Sequence, residues 1–149
     1  MSQADDNKGK KNSLITNIIW SARLKATKPR IDVIYVLLAE EHPISIGTLR
    51  KKLPKLTLGT IYRILESFVS GNIVYRMNTN VGHVLYELIY GKNHHHHIIC
   101  TNCGDIEEIR SRAKCLAFSM TELLIVDSKK FSIVSGHSLE FFGLCKKCA

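Results

Sequence analysis

The chain has 149 residues, of which 45% are hydrophobic, enough for one ordinary folded domain or two small ones. Lys and Arg number 21 against 13 Asp and Glu; the part before Gly91 holds 13 of these cations and 7 of the anions. No segment has the roughly 20 apolar residues of a membrane span, and residues 1–12 are polar rather than signal-like, which argues against a membrane or secreted protein and predicts a cytoplasmic one. The clustered positive charge favours a polyanion such as DNA, although a solvated basic surface accounts for it equally well.

The first part of the chain is predicted to be mainly helical. Residues 1–12 have no apolar period and are predicted to form a disordered tail, followed by a domain over residues 13–90. Ser13 is a candidate cap for a first helix. A second helix begins near Pro29, with Tyr35 on its apolar face, and a third follows Ser45.

Residues 57–74, TLGTIYRILESFVSGNIV, contain the most informative helix. Thr57 is a candidate N-cap, and Gly71 is predicted to supply a left-handed stop at the C-terminus. Apolar residues recur at the i, i+3, i+4 and i+7 spacing of a helix face that packs on a core. These residues are Ile61, Ile64, Leu65 and Phe68.

The same helix has a polar face near its N-terminus, formed by Thr60, Tyr62 and Arg63. Two extended runs, IVYRM and GHVLYEL, follow it across a turn. Short helices followed by a hairpin predict a winged helix-turn-helix, in which this polar face would meet base edges and phosphates. An ordinary amphipathic helix with solvated polar residues remains the alternative interpretation.

A short polar hinge at residues 91–93 is predicted to precede a second domain over residues 94–149. Strands are expected at 97–100 and 105–110, a helix over about 111–126, and two further extended runs, FSIVSG and SLEFFGL. The whole chain therefore reads as an α/β (α+β) protein with two domains.

Four of the five cysteines form two Cys-x-x-Cys pairs, Cys100 with Cys103 and Cys145 with Cys148. This spacing lets both thiolates of a pair bind one tetrahedral ion, and four thiolates leave no open position for a substrate. The pattern predicts a structural Zn²⁺ site that stabilises the fold rather than a catalytic one.

Four consecutive histidines, His94 to His97, lead into an apolar strand. In extended backbone His95 and His97 share one face, while His94 and His96 share the other. Glu87 and Glu108 are candidate carboxylates for the face of His95 and His97, although each is equally well explained as a solvated strand residue. Imidazole and carboxylate donors without a thiolate suit Zn²⁺, Fe²⁺, Mn²⁺ or Ni²⁺.

Together these motifs resemble the ferric uptake regulator family over residues 23–148, through RLKATKPR, LTLGTIYRILE, GNIV, HHHHIICTNCG and the terminal Cys-Lys-Lys-Cys. The resemblance implies a metal-dependent homodimer, with an N-terminal winged helix and a C-terminal dimerisation domain, that binds a pseudo-palindromic double-stranded DNA operator, most simply as a repressor. It implies base or phosphate contacts for Tyr62 and Arg63 and a minor-groove contact for Lys25.

The resemblance also implies three metal sites. The four paired cysteines match the structural zinc ligands. The regulatory site maps onto His42, Glu87, His95, His97 and Glu108, and a third site onto His94, His96 and His137. Cys115 stands where many members have a glutamate of that third site, which leaves a thiolate-containing, altered or absent site as alternatives, and a buried structural cysteine as the preferred interpretation of Cys115.

Iron(II) is the first expectation for the sensed metal, with zinc second and manganese also compatible. By analogy with the family, Glu87 rather than aspartate makes a peroxide sensor less favoured, and the absence of a cysteine near the end of the wing removes one hallmark of a zinc sensor. The alternatives outside this function are a metallohydrolase and a metal buffer or zinc-ribbon adaptor. The chain has no His-Glu-x-x-His motif to support hydrolysis.

Overall fold

The computed structural model describes residues 3–79, 82–91, 95–109, 129–130 and 139–149. The chain divides into two compact units, Met1–Lys92 and Asn93–Ala149. Among the helices of the described residues, none is both long and apolar enough to cross a membrane. The predicted helix over 111–126 and the predicted strand FSIVSG lie outside the described residues.

The first unit begins with a long helix, α1 (Gln3–Ser21). Residues 3–12 therefore belong to a helix, in contrast to the disordered tail predicted for 1–12. Once a helical turn exists, each added residue gains a backbone hydrogen bond, and lysine and glutamine favour helix, so the packed part of α1 is extended toward the N-terminus. On the part of α1 that precedes the apolar residues, the Lys11 ammonium lies 4.1 Å from the centroid of the Tyr35 ring.

The second helix, α2 (Lys28–Ala39), has Pro29 in its first turn as expected. The prediction that Tyr35 faces the core is wrong, because its side chain is 46% exposed. Val33 and Leu37 are buried instead, so the apolar face is rotated relative to the one predicted. A tyrosine tolerates this position because its hydroxyl group favours water and its ring can stack with Lys11.

The remaining elements of the first unit complete a winged helix. They are β1 (Ile44–Ser45), α3 (Ile46–Lys52), α4 (Leu58–Ser70), β2 (Val74–Asn78) and β3 (Val84–Leu88). The three strands form an antiparallel sheet in the order β1-β3-β2, in which Val74 is opposite Leu88 and Ile44 is opposite Tyr86. Strand β1 was not predicted, because two residues are too few to show an alternating pattern.

Helix α4 packs on the core through the face that the sequence predicts. Ile61, Ile64, Leu65 and Phe68 are all buried, together with residues of α1, α2 and α3. The helix begins as predicted, since the Thr57 hydroxyl accepts a hydrogen bond from the backbone N–H of Thr60. The opposite face of α4 is consequently presented to solvent.

The end of α4 differs from the prediction. Gly71 has φ −87°, and the left-handed residue is Asn72, with φ 53°. A Cβ atom on Gly71 would lie 2.7 Å from the Cβ of Ala22. Glycine is therefore required here for the close approach of the α1 C-terminus, while asparagine, which tolerates the left-handed region, reverses the chain.

The second unit contains a three-stranded sheet in the order β5-β4-β6 within the described residues. Its strands are β4 (His96–Cys100), β5 (Ile106–Ile109) and β6 (Glu140–Gly143). Strand β4 is antiparallel to β5 and parallel to β6. Because β4 ends at Cys100 and β6 ends shortly before Cys145, this topology brings the two cysteine pairs to one end of the sheet.

Candidate metal centres and nucleic-acid interface

The two Cys-x-x-Cys pairs meet in a single cluster. The sulfur atoms of Cys100, Cys103, Cys145 and Cys148 all lie within 4.8 Å of one another. The Sγ atoms of Cys103 and Cys145 are 3.7 Å apart. Tetrahedral Zn²⁺ with Zn–S bonds of about 2.3 Å needs sulfur atoms about 3.8 Å apart, so the cluster fits this ion.

The backbone around the cluster is shaped for thiolates. Gly104 has φ 74° and donates its N–H to the Cys100 carbonyl at 3.0 Å, which closes the first turn. The backbone N–H of Cys145 points at the Cys100 sulfur over 3.4 Å. Hydrogen bonds from the backbone of Cys103, Cys145 and Asn102 lower the pKa of Cys100 to about 6.

The thiols of the cluster differ in acidity. The Asn102 side chain acts to lower the pKa of Cys148, but hydrogen bonds shared with the Cys103 and Cys145 thiols outweigh it and raise that pKa to about 12. Neighbouring thiols compete for negative charge, so four thiolates coexist only when a cation compensates them. This donor set therefore suits a tightly held divalent ion.

A second group of metal donors lies on one face of the β4–β5 sheet. The rings of His95 and His97 are 4.8 Å apart between centroids and nearly perpendicular. His97 is directly opposite Glu108 on β5, and residues opposite each other in an antiparallel pair share a face. The sheet thus brings two imidazoles and a carboxylate to one side, as their spacing predicts.

His96 takes a different position from His95 and His97. His96 is buried on the opposite face, where its Nδ1 lies 3.2 Å from the carbonyl oxygen of Leu139 and its ring is 6.1 Å from that of Phe141. His94 and His137, the other two ligands predicted for the third site, lie outside the described residues, as does Cys115. The third site therefore stays a prediction.

The two regulatory ligands predicted from the first unit are placed separately. His42 is exposed in the segment between α2 and β1. Glu87 lies on β3 directly opposite Tyr75 of β2. Each is described within its own unit, and their role as ligands stays a prediction.

The predicted DNA-contacting residues lie at the exposed N-terminal part of α4 and just before α2. Tyr62 is 44% exposed, and Arg63 is exposed beside it. The Thr60 hydroxyl lies 2.8 Å from that of Thr57, so it belongs to the cap of the helix. Lys25 is exposed, and its carbonyl accepts a hydrogen bond from Arg30 over 2.9 Å, which orders the segment that carries it.

Two charged residues beside this surface were not singled out from the sequence. Arg76 on β2 forms an ion pair of 3.4 Å with Glu66 on α4. No pattern in the sequence predicts this pair, because the contact depends on how the β2–β3 hairpin packs on α4. Glu66 alone has the appearance of a solvated helix residue.

Comparison with known proteins places these sites in context. The model of the ferric uptake regulator family matches residues 21–142. The chain belongs to the ferric uptake regulator family. A ferric uptake regulation protein of Legionella pneumophila is 33% identical over 141 residues, covering 85% of this chain and 93% of the relative.

Solved structures of the family have the same fold. The ferric uptake regulator of Vibrio cholerae is 30% identical with a TM-score of 0.66, and the alignment covers 87% of this chain and 98% of that one. The Helicobacter pylori regulator, described as having three functional metal-binding sites, is 25% identical with a TM-score of 0.67, with 94% and 92% covered.

Membership of the ferric uptake regulator family defines the general function. The protein is a metal-responsive, DNA-binding transcription regulator and not an enzyme. This decides against the metallohydrolase and the adaptor that does not bind DNA. The sensed metal, the assembly and the role of each site residue are taken up as proposals below.

Proposed function

We propose that the protein is a homodimeric repressor that binds its DNA operator when a divalent metal, iron(II) in the first place, occupies a site containing His95, His97 and Glu108. The observation that supports this proposal is the placement of these three side chains on one face of the β4–β5 sheet, apart from the cysteine cluster. The family resemblance adds His42 and Glu87 as further ligands. The cysteine cluster is proposed as the structural zinc site.

The choice of metal rests on the donor atoms and on the relatives. Two imidazoles and a carboxylate, without thiolate, suit Fe²⁺, Zn²⁺ and Mn²⁺, and the intrinsic affinity order does not favour iron. Iron(II) comes first because the Legionella pneumophila and Vibrio cholerae relatives are named for ferric uptake regulation. Zinc is the second candidate and manganese the third.

The proposed mechanism is a population shift. Metal held by the regulatory ligands favours the arrangement of the dimer in which two α4 helices match successive half-sites of the operator. Any ligand shifts such an equilibrium only by its differential affinity for the two states. DNA must therefore tighten metal binding by the same factor by which metal tightens DNA binding.

The proposed contacts to DNA come from Thr60, Tyr62, Arg63 and Lys25. The N-terminal part of a helix favours phosphate, because backbone N–H groups and the helix dipole point toward it. Tyr62 offers an apolar ring to a thymine methyl group, and the Arg63 guanidinium offers paired donors to phosphate or guanine. With DNA as the partner, the proposed place of action is the cytoplasm.

A homodimer is supported by exposed apolar side chains in the second unit. Phe141, Phe142 and Leu144 are 42%, 43% and 58% exposed, respectively. These side chains leave apolar area exposed that a second copy of the chain could cover. Size-exclusion chromatography with light scattering gives the mass of the assembly, and a monomer at micromolar concentration contradicts this part of the proposal.

The experiment that tests the function is metal analysis paired with DNA binding. The operator is first selected from random DNA with iron-loaded protein under anaerobic conditions. We expect about one zinc per chain to survive mild chelation, while a second, removable metal is required for operator binding. If operator binding persists after that metal is removed, the corepressor proposal is wrong.

Substitutions on α4 test the DNA contacts in the same assay. Tyr62→Ala and Arg63→Ala should each weaken operator binding by roughly 1–3 kcal/mol, while metal content and thermal stability stay unchanged. Lys146→Ala, which removes one exposed charge from the second unit, is the control. Equal operator affinity of Arg63→Ala and Lys146→Ala argues against α4 as the recognition element.

A further inference from the structure

An exposed ion pair joins the hairpin of the first unit to α4. The Nη1 atom of Arg76 on β2 lies 3.4 Å from Oε1 of Glu66, and the two side chains are 42% and 53% exposed. Exposed pairs of this kind contribute little to the free energy of unfolding. The pair lies beside the proposed DNA contacts, where its charges can affect the binding of DNA.

Glu66 lies on the face of α4 that is proposed to bind DNA. It follows Tyr62 by four residues and Arg63 by three, the spacings at which helix side chains are neighbours. All three side chains are exposed, on the side away from the buried apolar face. An unpaired carboxylate at this position would repel the phosphate backbone, and Arg76 supplies the compensating charge.

Tyr86 connects this pair to the second strand of the hairpin. Arg76 and Tyr86 are directly opposite each other on β2 and β3, so their side chains share a face. Burial raises the pKa of Tyr86, and Arg76 opposes this effect while Tyr62 and Glu66 reinforce it. Arg76 therefore links Glu66 on α4 with Tyr86 on the second strand of the hairpin.

We propose that Arg76 is a positioning residue for DNA recognition, which neutralises Glu66 on the exposed face of α4 so that Tyr62 and Arg63 meet the operator without a repelling carboxylate beside them. The inference rests on the proposed function of α4 in DNA binding. It assigns no direct DNA contact to Arg76. Its signature is that the loss of Arg76 matters only while Glu66 keeps its negative charge.

The test is a double-mutant cycle with full-length, metal-loaded protein and the selected operator. Arg76→Gln should weaken operator binding by roughly 5- to 10-fold at about 0.1 M salt, the size of one poorly screened charge interaction. Glu66→Gln alone should bind at least as tightly as the parent protein. The double variant should return to within about twofold of the parent.

Two further variants separate the neutralisation of Glu66 by Arg76 from effects of net charge or of folding on operator affinity. Arg76→Lys keeps the charge and should retain operator affinity within about twofold of the parent. Lys52→Gln removes the same charge from the exposed Glu40–Lys52 pair, which does not include α4, and so measures the effect of net charge alone. The defect of Arg76→Gln should also shrink as salt rises, which a change in folding would not produce.

The outcomes that overturn the proposal are distinct. If the double variant binds as weakly as Arg76→Gln, Arg76 contacts DNA directly and is not a positioning residue. If Arg76→Gln binds no more weakly than Lys52→Gln while Arg63→Ala loses operator binding, only the positioning role is wrong. If Arg63→Ala also binds like the parent, α4 does not face DNA, and the proposed function fails with the inference.

Discussion

His97 and Glu108 lie directly opposite each other on β4 and β5. Their pairing puts an imidazole and a carboxylate on the face that also carries the His95 ring. Glu107, which precedes Glu108 on β5, is opposite Ile98 and faces the other side of the sheet. Two adjacent glutamates of one strand thus provide a proposed ligand, Glu108, and its matched control, Glu107.

Glu108→Gln should lower the affinity for the regulatory metal by at least the roughly 10- to 100-fold that loss of a supporting residue costs at such sites. The metal concentration for half-maximal operator binding should rise by a similar factor. Anaerobic titration with Fe²⁺ or Mn²⁺, followed by DNA binding, measures both. Equal effects of Glu107→Gln would remove Glu108 from the proposed ligands.

Cys103→Ser should abolish the tightly held zinc and destabilise the second unit by more than about 4 kcal/mol, since metal binding at a closed tetrathiolate site contributes directly to folding. Zinc content by atomic absorption and urea unfolding followed by circular dichroism provide the readouts. Lys147→Ala, an exposed residue between the second pair of cysteines, is the control and should keep its zinc. Full zinc content in Cys103→Ser contradicts the four-cysteine assignment.

Gly71→Ala should destabilise the first unit by about 1–3 kcal/mol, because the added methyl group would lie 2.7 Å from the Cβ of Ala22 and 3.2 Å from the Ser67 carbonyl oxygen. Gly59→Ala is the matched control on the same helix. Apart from its chain neighbours and the backbone of its own helix, nothing lies within 4 Å of the added methyl group, so this change should stabilise the helix by up to about 1 kcal/mol. Chemical unfolding compares the two, and similar effects of both changes would contradict the close approach.

Tyr86→Phe should make the first unit less sensitive to alkaline pH. Burial raises the pKa of Tyr86 above its usual value of 10.0, with smaller effects from Arg76, Tyr62 and Glu66. Its contribution to stability is therefore fully present below about pH 10 and is lost as the pH rises above that value. The Tyr86→Phe variant has no hydroxyl group to ionise at this position, so it should not lose this part of the free energy of unfolding at high pH.

The measurement is the free energy of unfolding in urea at about pH 8 and pH 11 for the parent and the variant. Other tyrosines and lysines also titrate in this interval, so the quantity of interest is the difference between the two proteins. Tyr90→Phe, which alters an exposed ring, is the control. A parent and a Tyr86→Phe variant that lose the same free energy would contradict the effect of burial.

Much of the fold could be predicted because its signals are local. The apolar period placed Ile61 and Phe68 in the core, and the cap at Thr57 marked the start of α4. The element order and motifs predicted a winged helix followed by a smaller α/β unit, the fold of the family's solved structures. These features depend on residues within a few positions of one another.

The errors have a different origin. The side of α2 that faces the core depends on how it meets α1, so Tyr35 was placed inward when Val33 and Leu37 take that position. Gly71 was assigned a left-handed conformation that Asn72 adopts, because only the packing against Ala22 reveals what glycine does there. The pair of Arg76 and Glu66 likewise depends on contact between two elements.

The parallel pairing of β4 with β6 has a consequence for the kinetics of folding. Cys100 and Cys145, at the ends of this pairing, are 45 residues apart, so the chain must close a long loop before the strands meet. In the first unit, β2 and β3 meet across a short turn. An ion bound first by one cysteine pair would bind the second pair as soon as the two pairs meet, and would so hold the loop closed. We therefore expect the concentration of free zinc during refolding to set the rate at which the second unit forms.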